Sequence, residues 1–240
     1  MTFYERLSKY YDVVFKMGAA QMELIQSSVL PGKRILDIGC GTGTYSIPLA
    51  KLGYQMVALD YDQSMVDKLR TKADALDLQI ESFARDMMGL DDLIEDAYDG
   101  ILCIGNTLPH LKDMDEVETF LKMVNKKLAD DGVFIIQTVN YDRVYKHNVT
   151  KLPLIERPEN GVVFDRSYEM LDEGKIKFIG KLSMPDGTES ESSTTLLGIR
   201  VNMIKTALKN AGYTNVETFG SFKQEAWTDE TFATVIVARK

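Results

Sequence analysis

Acidic and glycine residues with regular spacing occupy residues 37–43, directly after a short apolar run. The stretch reads Asp37-Ile38-Gly39-Cys40-Gly41-Thr42-Gly43, so three glycines alternate behind one carboxylate. Glycine adopts positive φ readily and, because it has no Cβ, lets a ligand approach the backbone closely. The helix that is expected to follow offers free N–H donors at its start. This pattern predicts a strand, a glycine turn and a helix that together bind a nucleotide.

A second acid follows at the end of the next expected strand. Asp60 ends the apolar stretch of residues 54–60, about 17 residues beyond Gly43, where a nucleotide-binding crossover places a ribose-binding acid. Tyr61 comes next and is expected to pack beside the adenosine. Asp62 is the better N-cap for the helix that begins there, so the interpretation of Asp60 as a mere cap is disfavoured. We therefore predict that Asp60 binds the ribose hydroxyls.

The glycine spacing separates two classes of nucleotide-binding protein. A dinucleotide fingerprint requires Gly-x-Gly-x-x-Gly, and the third glycine would here fall on Thr44 or on Ser46. This mismatch disfavours a nicotinamide-dependent reductase. The pattern that is present, Asp-x-Gly-x-Gly-x-Gly, resembles the first motif of class I S-adenosylmethionine (SAM)-dependent methyltransferases.

The resemblance implies SAM as the cofactor, with the glycine turn passing beside its methionine and ribose parts. It places Asp37 near the cationic amino end of SAM. It also implies that Asp86 bonds the adenine amino group and that Met87 lies on the ring, although Met87 is equally consistent with a core residue. The other residues that we assign to the cofactor are Tyr4, Tyr11, Gly39, Cys40, Gly41, Gly43, Asp60, Tyr61 and Ile104.

The amino-terminal stretch is amphipathic and rich in aromatic residues. Residues 2–15 carry apolar side chains at helical intervals, and Tyr4, Tyr10 and Tyr11 are among them. One interpretation is a helix that simply packs on the body of the protein. In the methyltransferases that the chain resembles, such segments cover the cofactor, and an aromatic face attracts a sulfonium cation. Both interpretations stay open at this point.

A second motif follows the fourth expected strand. Residues 105–111 read Gly-Asn-Thr-Leu-Pro-His-Leu and resemble the Gly-Asn-Ser-x-x-His-Leu segment of glycine and glycine/sarcosine N-methyltransferases. The resemblance implies that Asn106 and His110 lie on the methyl-acceptor side. His110 is either a proton acceptor, for which a pKa near 6.5 is suitable, or a structural histidine bonded to backbone. The Asp/Asn-Pro-Pro-aromatic motif of DNA and protein-glutamine methyltransferases is not what stands here.

The order of strand and helix patterns predicts an α/β fold with a Rossmann-like, seven-stranded, mostly parallel sheet. Its last two strands, near residues 213–222 and 231–238, are joined by a short loop and are therefore expected to form an antiparallel hairpin. Residues 146–198 lack strand–helix alternation and predict an inserted antiparallel β elaboration, which either roofs the substrate site or forms subunit contacts. We predict one domain over residues 1–240, with residues 1–30 as a helical cap.

Composition narrows the function further. The net charge of −8 argues against a nucleic-acid partner, which normally requires a basic face. No apolar run approaches the roughly 20 residues that a bilayer requires, and the first residues lack the apolar core of a signal peptide. Two cysteines make a disulfide framework improbable and fit a reducing cytoplasm, and His and Cys form no metal-ligand cluster.

These observations together predict a cytoplasmic SAM-dependent methyltransferase that acts on a small molecule by direct displacement. An amine nitrogen is the favoured acceptor, and a hydroxyl is the alternative. A non-catalytic SAM-binding protein is the competing class. The expected partners are a small-molecule substrate and, through the inserted β elaboration, a second copy of the chain; neither a nucleic acid nor a membrane is expected.

Overall fold

The computed structural model describes residues 3–92 and 97–240, apart from the side chain of Tyr4. The predicted cofactor role of Tyr4 therefore lies outside what is described. The α-helices of this part of the chain are α1 (Phe3–Val14), α2 (Ala19–Ser28), α3 (Ser46–Lys51), α4 (Gln63–Asp74), α5 (Met114–Lys127), α6 (Tyr141–Lys146) and α7 (Val201–Asn210). The strands are β1 (Arg34–Ile38), β2 (Gln55–Asp60), β3 (Ile80–Ala84), β4 (Tyr98–Cys103), β5 (Leu128–Val139), β6 (Ile155–Arg157), β7 (Val162–Met170), β8 (Lys175–Ser183), β9 (Glu189–Leu197), β10 (Asn215–Phe219) and β11 (Ala233–Arg239).

Seven strands form the main sheet in the order β10-β11-β5-β4-β1-β2-β3. Strands β1 to β5 pair in parallel, whereas β11 is antiparallel to both β5 and β10. This arrangement confirms the predicted α/β fold with its antiparallel ending. The chain runs outward from β1 to β3 and then returns to β4 on the other side of β1. Such a reversal leaves a crevice at the carboxyl edge of the sheet, between β1 and β4.

The sheet is buried on both faces, which explains the continuous apolar runs of its central strands. In β1, Ile35, Leu36 and Ile38 are fully buried. Helices α5 and α7 cover one face, and α2 and α3 cover the other. Asp113 caps helix α5, since its side chain accepts a hydrogen bond from the backbone N–H of Glu116. None of the helices in residues 3–92 and 97–240 is both long and apolar enough to cross a bilayer.

The predicted β elaboration is a separate antiparallel sheet in the order β6-β7-β8-β9. Its inner face packs on two helices at the carboxyl edge of the main sheet. Phe164 and Leu182 contact α1, and Tyr168 and Leu196 contact α6. We call this four-stranded sheet the roof, because it lies over the edge at which the glycine turn and the end of β4 are found.

One strand boundary and one helix differ from what the sequence predicts. The turn signal Asp131-Gly132 predicts a strand that begins at Val133, but β5 begins at Leu128, directly after α5. Leu128 pairs with Tyr98, and the ladder then shifts register before Gly100 pairs with Val133. The short helix α6 was not predicted either. Its cap is the Asn140 side chain, which accepts a hydrogen bond from Arg143 N–H, while the Asn140 amide donates to the loop before β11.

Candidate functional site

The glycine turn is a backbone structure that only glycine tolerates well. Gly39, Gly41 and Gly43 have φ angles of +73°, +54° and +87°, all in the left-handed region. The N–H groups of Gly39 and Cys40 both donate to the carbonyl of Leu59, at 2.8 and 3.0 Å. The turn is thus attached to the end of β2, and it lies at the crevice between β1 and β4.

Two side chains from distant elements close over this turn. A Cβ at Gly39 would lie 2.5 Å from the Thr107 hydroxyl oxygen, and a Cβ at Gly41 would lie 2.8 Å from the Tyr11 ring. The Tyr11 ring also contacts Phe15, with 4.8 Å between ring centroids. Tyr11, predicted from the sequence to contact the cofactor, therefore lies against the glycine turn.

Asp60 lies beside the turn and holds it. Its Oδ2 accepts the N–H of Gly41 at 2.8 Å, and its Oδ1 accepts the N–H of Asp62 at 2.9 Å. Burial raises the pKa of this carboxyl. Each oxygen keeps a further lone pair, so the carboxylate is able to accept hydrogen bonds from two hydroxyls. Asp62 caps α4 through Ser64 N–H, as predicted, which leaves Asp60 for the crevice.

Asp37 is a buried carboxylate without a protein cation beside it. The residue is 1% exposed, and its hydrogen-bond donors are the hydroxyl of Ser46, at 2.6 Å, and the backbone N–H of Ser46; among the described residues it has no ion pair. A buried charge normally requires a partner of opposite sign. Burial raises the pKa of Asp37 to about 6. This buried carboxylate fits the cationic amine of a ligand, and the Asp60 carboxylate beside the turn fits the hydroxyls of a ribose.

The shifted pKa of Asp37 predicts a pH dependence of stability. The folded protein holds the Asp37 proton more tightly than the unfolded chain, whose pKa is 3.8. The contribution of Asp37 to wild-type stability should therefore fall as the pH rises from about 4 to about 6. We expect Asp37→Asn to remove this fall, so that the free energy of unfolding of the variant relative to wild type rises by about 2–3 kcal/mol over the same range. Melting temperatures at pH 4 to 8 measure it, and parallel curves for the two proteins would contradict it.

The predicted adenine-side residues lie at the neighbouring strand ends. Asp86 is exposed and accepts the N–H of Met88 at 2.8 Å, and Met87 is partly buried against the core. Tyr61 is 79% exposed, so its ring projects into solvent instead of packing on the protein. Because β2 pairs with β3, Asp60 and these three residues share one edge of the sheet.

Two predicted cofactor residues have side chains that face the core. Cys40 packs with Ala58 and Leu69 and is 3% exposed. Ile104 is 4% exposed and belongs to the core layer beneath α2. Their side chains are therefore not available to a ligand. Both cysteines of the chain are free thiols, and burial raises their pKa values.

The second predicted motif is held in place by the end of β5 and by α6. Asn106 has a φ angle of +66°. Its Oδ1 accepts Val139 N–H at 2.9 Å, and its Nδ2 donates to the Tyr141 hydroxyl at 3.0 Å. That hydroxyl also bonds Tyr168 of the roof. These hydrogen bonds hold the Asn106 side chain in place at the carboxyl end of β4.

His110 differs from Asn106 in being exposed. Its backbone N–H donates to the carbonyl of Thr107 at 3.0 Å, and the turn that it ends contacts β9 of the roof. Neighbouring atoms remove part of the water around the imidazole, and this lowers the pKa of His110. Among the described residues no hydrogen bond is made to its ring, so the ring is available to a substrate.

Sequence reasoning missed the residues that fasten α1 over the glycine turn. Asp12 Oδ1 accepts the Thr42 hydroxyl at 2.7 Å, and Lys72 Nζ donates to both Asp12 oxygens at 2.8 and 2.9 Å. Nothing in the local sequence indicates this contact, because 30 residues separate Asp12 from Thr42 and 60 separate it from Lys72. Thr107 was detectable in principle, since it follows Asn106 at the predicted strand end.

The profile of a family described as "Methyltransferase domain" matches residues 35–132. The matched segment runs from β1 into β5 and contains the glycine turn, Asp60 and Asn106. Residues 35–132 therefore match a methyltransferase domain, and the protein is a SAM-dependent methyltransferase, as predicted. Its cofactor is SAM, and the carboxylates of Asp37 and Asp60 beside the glycine turn have the charge that suits this cofactor.

Relatives of the methyltransferase domain come from several organisms. A glycine/sarcosine N-methyltransferase of Aphanothece halophytica is 24% identical over 208 residues, which cover 87% of this chain and 76% of that protein. A ubiquinone biosynthesis O-methyltransferase of Bradyrhizobium diazoefficiens is 32% identical over 111 residues, 46% of this chain and 42% of that one. The structure of the CcbJ methyltransferase from Streptomyces caelestis superposes with a TM-score of 0.83, at 20% identity, and covers 99% of this chain and 98% of that one. This last likeness shows the fold.

A metal centre is not part of the described site. Within residues 3–92 and 97–240, no group of three or more His, Cys, Asp or Glu side chains is arranged to hold a metal ion.

Proposed function

We propose that the methyltransferase domain transfers a methyl group from SAM to the nitrogen of a small amine. The observation that best supports the cofactor in this proposal is the pair of carboxylates, Asp37 and Asp60, beside the glycine turn, where no protein cation among the described residues neutralises them. Such a site suits a positively charged cofactor with ribose hydroxyls. When bound, SAM supplies a methyl group on a positively charged sulfur.

The residues of the chain contribute orientation and exclusion of water. Tyr11 and Thr107 close over the turn, and Asn106 is fixed by Val139 and Tyr141 at the edge where the acceptor is expected. Holding two reactants in the reactive arrangement is worth up to roughly 7–11 kcal/mol in favourable cases. In this proposal His110 accepts the proton of an ammonium acceptor, since an amine attacks only in its unprotonated form.

Nitrogen is proposed ahead of oxygen because of the residues 105–111 and the likeness to a glycine/sarcosine N-methyltransferase. Methyl transfer to a hydroxyl is the second candidate, and the likeness to an O-methyltransferase favours it. Both reactions use the same cofactor crevice, so the acceptor side alone distinguishes them.

The test begins with calorimetric titration of SAM and continues with methyl transfer from SAM labelled in its methyl group. A panel of small amines and a matched panel of alcohols serve as acceptors. We expect SAM to bind and label to enter amines preferentially. Label in alcohols alone would favour the second candidate. SAM binding without transfer to any acceptor would favour a non-catalytic SAM-binding protein.

His110→Gln tests the proposed proton acceptor. Because the neutral imidazole is the active form, the turnover of wild type should rise as the pH passes upward through the lowered pKa of His110. We expect the variant to lose about tenfold or more in turnover and to lose this rise, with little change in SAM affinity. The rise that comes from ionisation of the amine itself should persist.

His147→Gln is the matched control, since His147 is bonded to Glu230 at 2.8 Å instead of facing the turn. It should keep the wild-type profile. Equal turnover and equal pH profiles in His110→Gln and wild type would make His110 a structural residue, while the assignment of the cofactor site would be unaffected.

We further propose that the roof covers the substrate, that the protein is cytoplasmic and that nucleic acid is not a partner. The packing of the inner face of the roof on α1 and α6 supports the first point, and the net charge of −8 supports the last. A homodimer through the roof stays a prediction. Light scattering of the purified protein tests it, and a mass of one chain at micromolar concentration would contradict it.

A further inference from the structure

A cleft of about 320 Å³ lies between α6, the loop before β6 and the loop before β11. Its walls are largely apolar and are formed by Val144, Leu152, Pro153 and Phe232. The Phe232 side chain is 68% exposed. Two cations, Arg143 and Lys151, also line it, and no acidic residue does. The volume is in the range of small-molecule sites, which are mostly apolar with a few polar groups that fix orientation.

The cleft adjoins the proposed acceptor side. Val139, the last residue of β5, forms part of its lining, and the N–H of Val139 donates to Asn106 at 2.9 Å. Asn106 in turn precedes Thr107, which contacts the glycine turn at Gly39. The cleft therefore lies one residue of β5 away from Asn106.

The charge of the cleft is opposite to that of the whole chain. In the described part of the chain, no carboxylate lies within salt-bridge distance of Arg143 or Lys151, and Arg143 instead lies over the Phe232 ring at 4.3 Å. A third cation, Arg166, lies next to the cleft. Its Nη2 donates to the carbonyl of Pro153, a lining residue, at 2.7 Å. The Nε of Arg166 is buried without a hydrogen-bond partner. The planar guanidinium group of an arginine such as Arg143, which has no carboxylate partner among the described residues, binds carboxylates well.

We propose that this cleft binds the non-reacting part of the methyl acceptor, and that this part is an apolar group that carries a carboxylate. The apolar group lies between Leu152 and Phe232, and the carboxylate pairs with Arg143 and Lys151. The inference rests on the proposed function for the position of the reacting nitrogen. It goes beyond that function because it defines an acceptor that is larger and more apolar than a bare amino acid, and acidic.

The experiment measures binding without methyl transfer, to the full chain saturated with S-adenosylhomocysteine. The probes are 4-phenylbutyrate and its uncharged amide, which share one apolar body. We expect calorimetry to show that the acid binds about tenfold more tightly than the amide. Arg143→Gln and Lys151→Ala should each weaken binding of the acid about threefold to fivefold, and leave binding of the amide nearly unchanged. The preference for the acid should also decrease as salt is added.

Lys209→Ala is the matched control, because Lys209 lies in the last turn of α7 and does not line the cleft. It should bind both probes like wild type. Equal affinity of the acid and the amide, absence of binding of both, or unchanged binding in the Arg143→Gln/Lys151→Ala double variant would each overturn the proposal. The proposed function can fail independently of the cleft. In that case SAM and phenylbutyrate would bind, but no amine of the panel would be methylated.

Discussion

Asp60→Ala should weaken SAM binding tenfold or more while the protein remains folded. The carboxylate is placed to accept hydrogen bonds from two ribose hydroxyls, and it already orders the turn through Gly41 N–H at 2.8 Å. A hydrogen bond to a charged group contributes about 1.5–3 kcal/mol, and about 1.4 kcal/mol corresponds to a factor of ten in affinity. Loss of two such bonds therefore gives at least the stated change, which calorimetric titration of SAM measures.

Asp62→Ala is the control for that substitution. Asp62 caps α4 through Ser64 N–H, so its loss should lower stability by about 1 kcal/mol without a direct effect on the ribose side. We expect the Asp62 variant to melt earlier and to bind SAM as wild type does. A folded Asp60→Ala protein with the wild-type dissociation constant would remove Asp60 from the cofactor site.

Gly41→Val should abolish measurable SAM binding. Gly41 has a φ of +54°, a region that a β-branched residue avoids, and its new Cβ would lie 2.8 Å from the Tyr11 ring. The branched side chain would occupy the space above the turn and would displace either Tyr11 or the ligand. The expected loss in affinity is at least about a hundredfold, or about 2.7 kcal/mol. Circular dichroism establishes that the variant is folded, and titration with SAM measures the loss.

Gly53→Val separates backbone strain from obstruction of the site. Gly53 has a φ of +87°, and nothing lies within 4 Å of the position of its Cβ. It should therefore show a similar or larger loss in stability with unchanged SAM affinity. Wild-type affinity in Gly41→Val, with Tyr11 in place, would mean that the ligand does not pass over this turn.

Local sequence was sufficient for the elements that carry the cofactor crevice. The apolar run of β1 acts through burial and the alternating glycines act through positive φ, and Asp62 caps α4 through Ser64 N–H, so each depends on neighbours within a few residues. The hairpin of β7 and β8 was also predictable, because the glycine-bearing turn Asp172-Glu173-Gly174 separates two strand patterns. The sheet class followed from the order of these patterns.

Only the tertiary structure decided which contacts hold α1 and the end of β4 over the site. Asp12, Thr42 and Lys72 meet across 30 and 60 residues, and Asn106 meets Tyr141 across 35. The start of β5 at Leu128 depends in the same way on its pairing with Tyr98. The exposure of Tyr61 also depends on the tertiary structure, because no described element packs over its ring. Such contacts follow from the order of the strands and from the helices and roof that pack at one edge of the sheet. Local propensity carries no information about them, because the energy of each contact comes from a residue that is near only after the chain has folded.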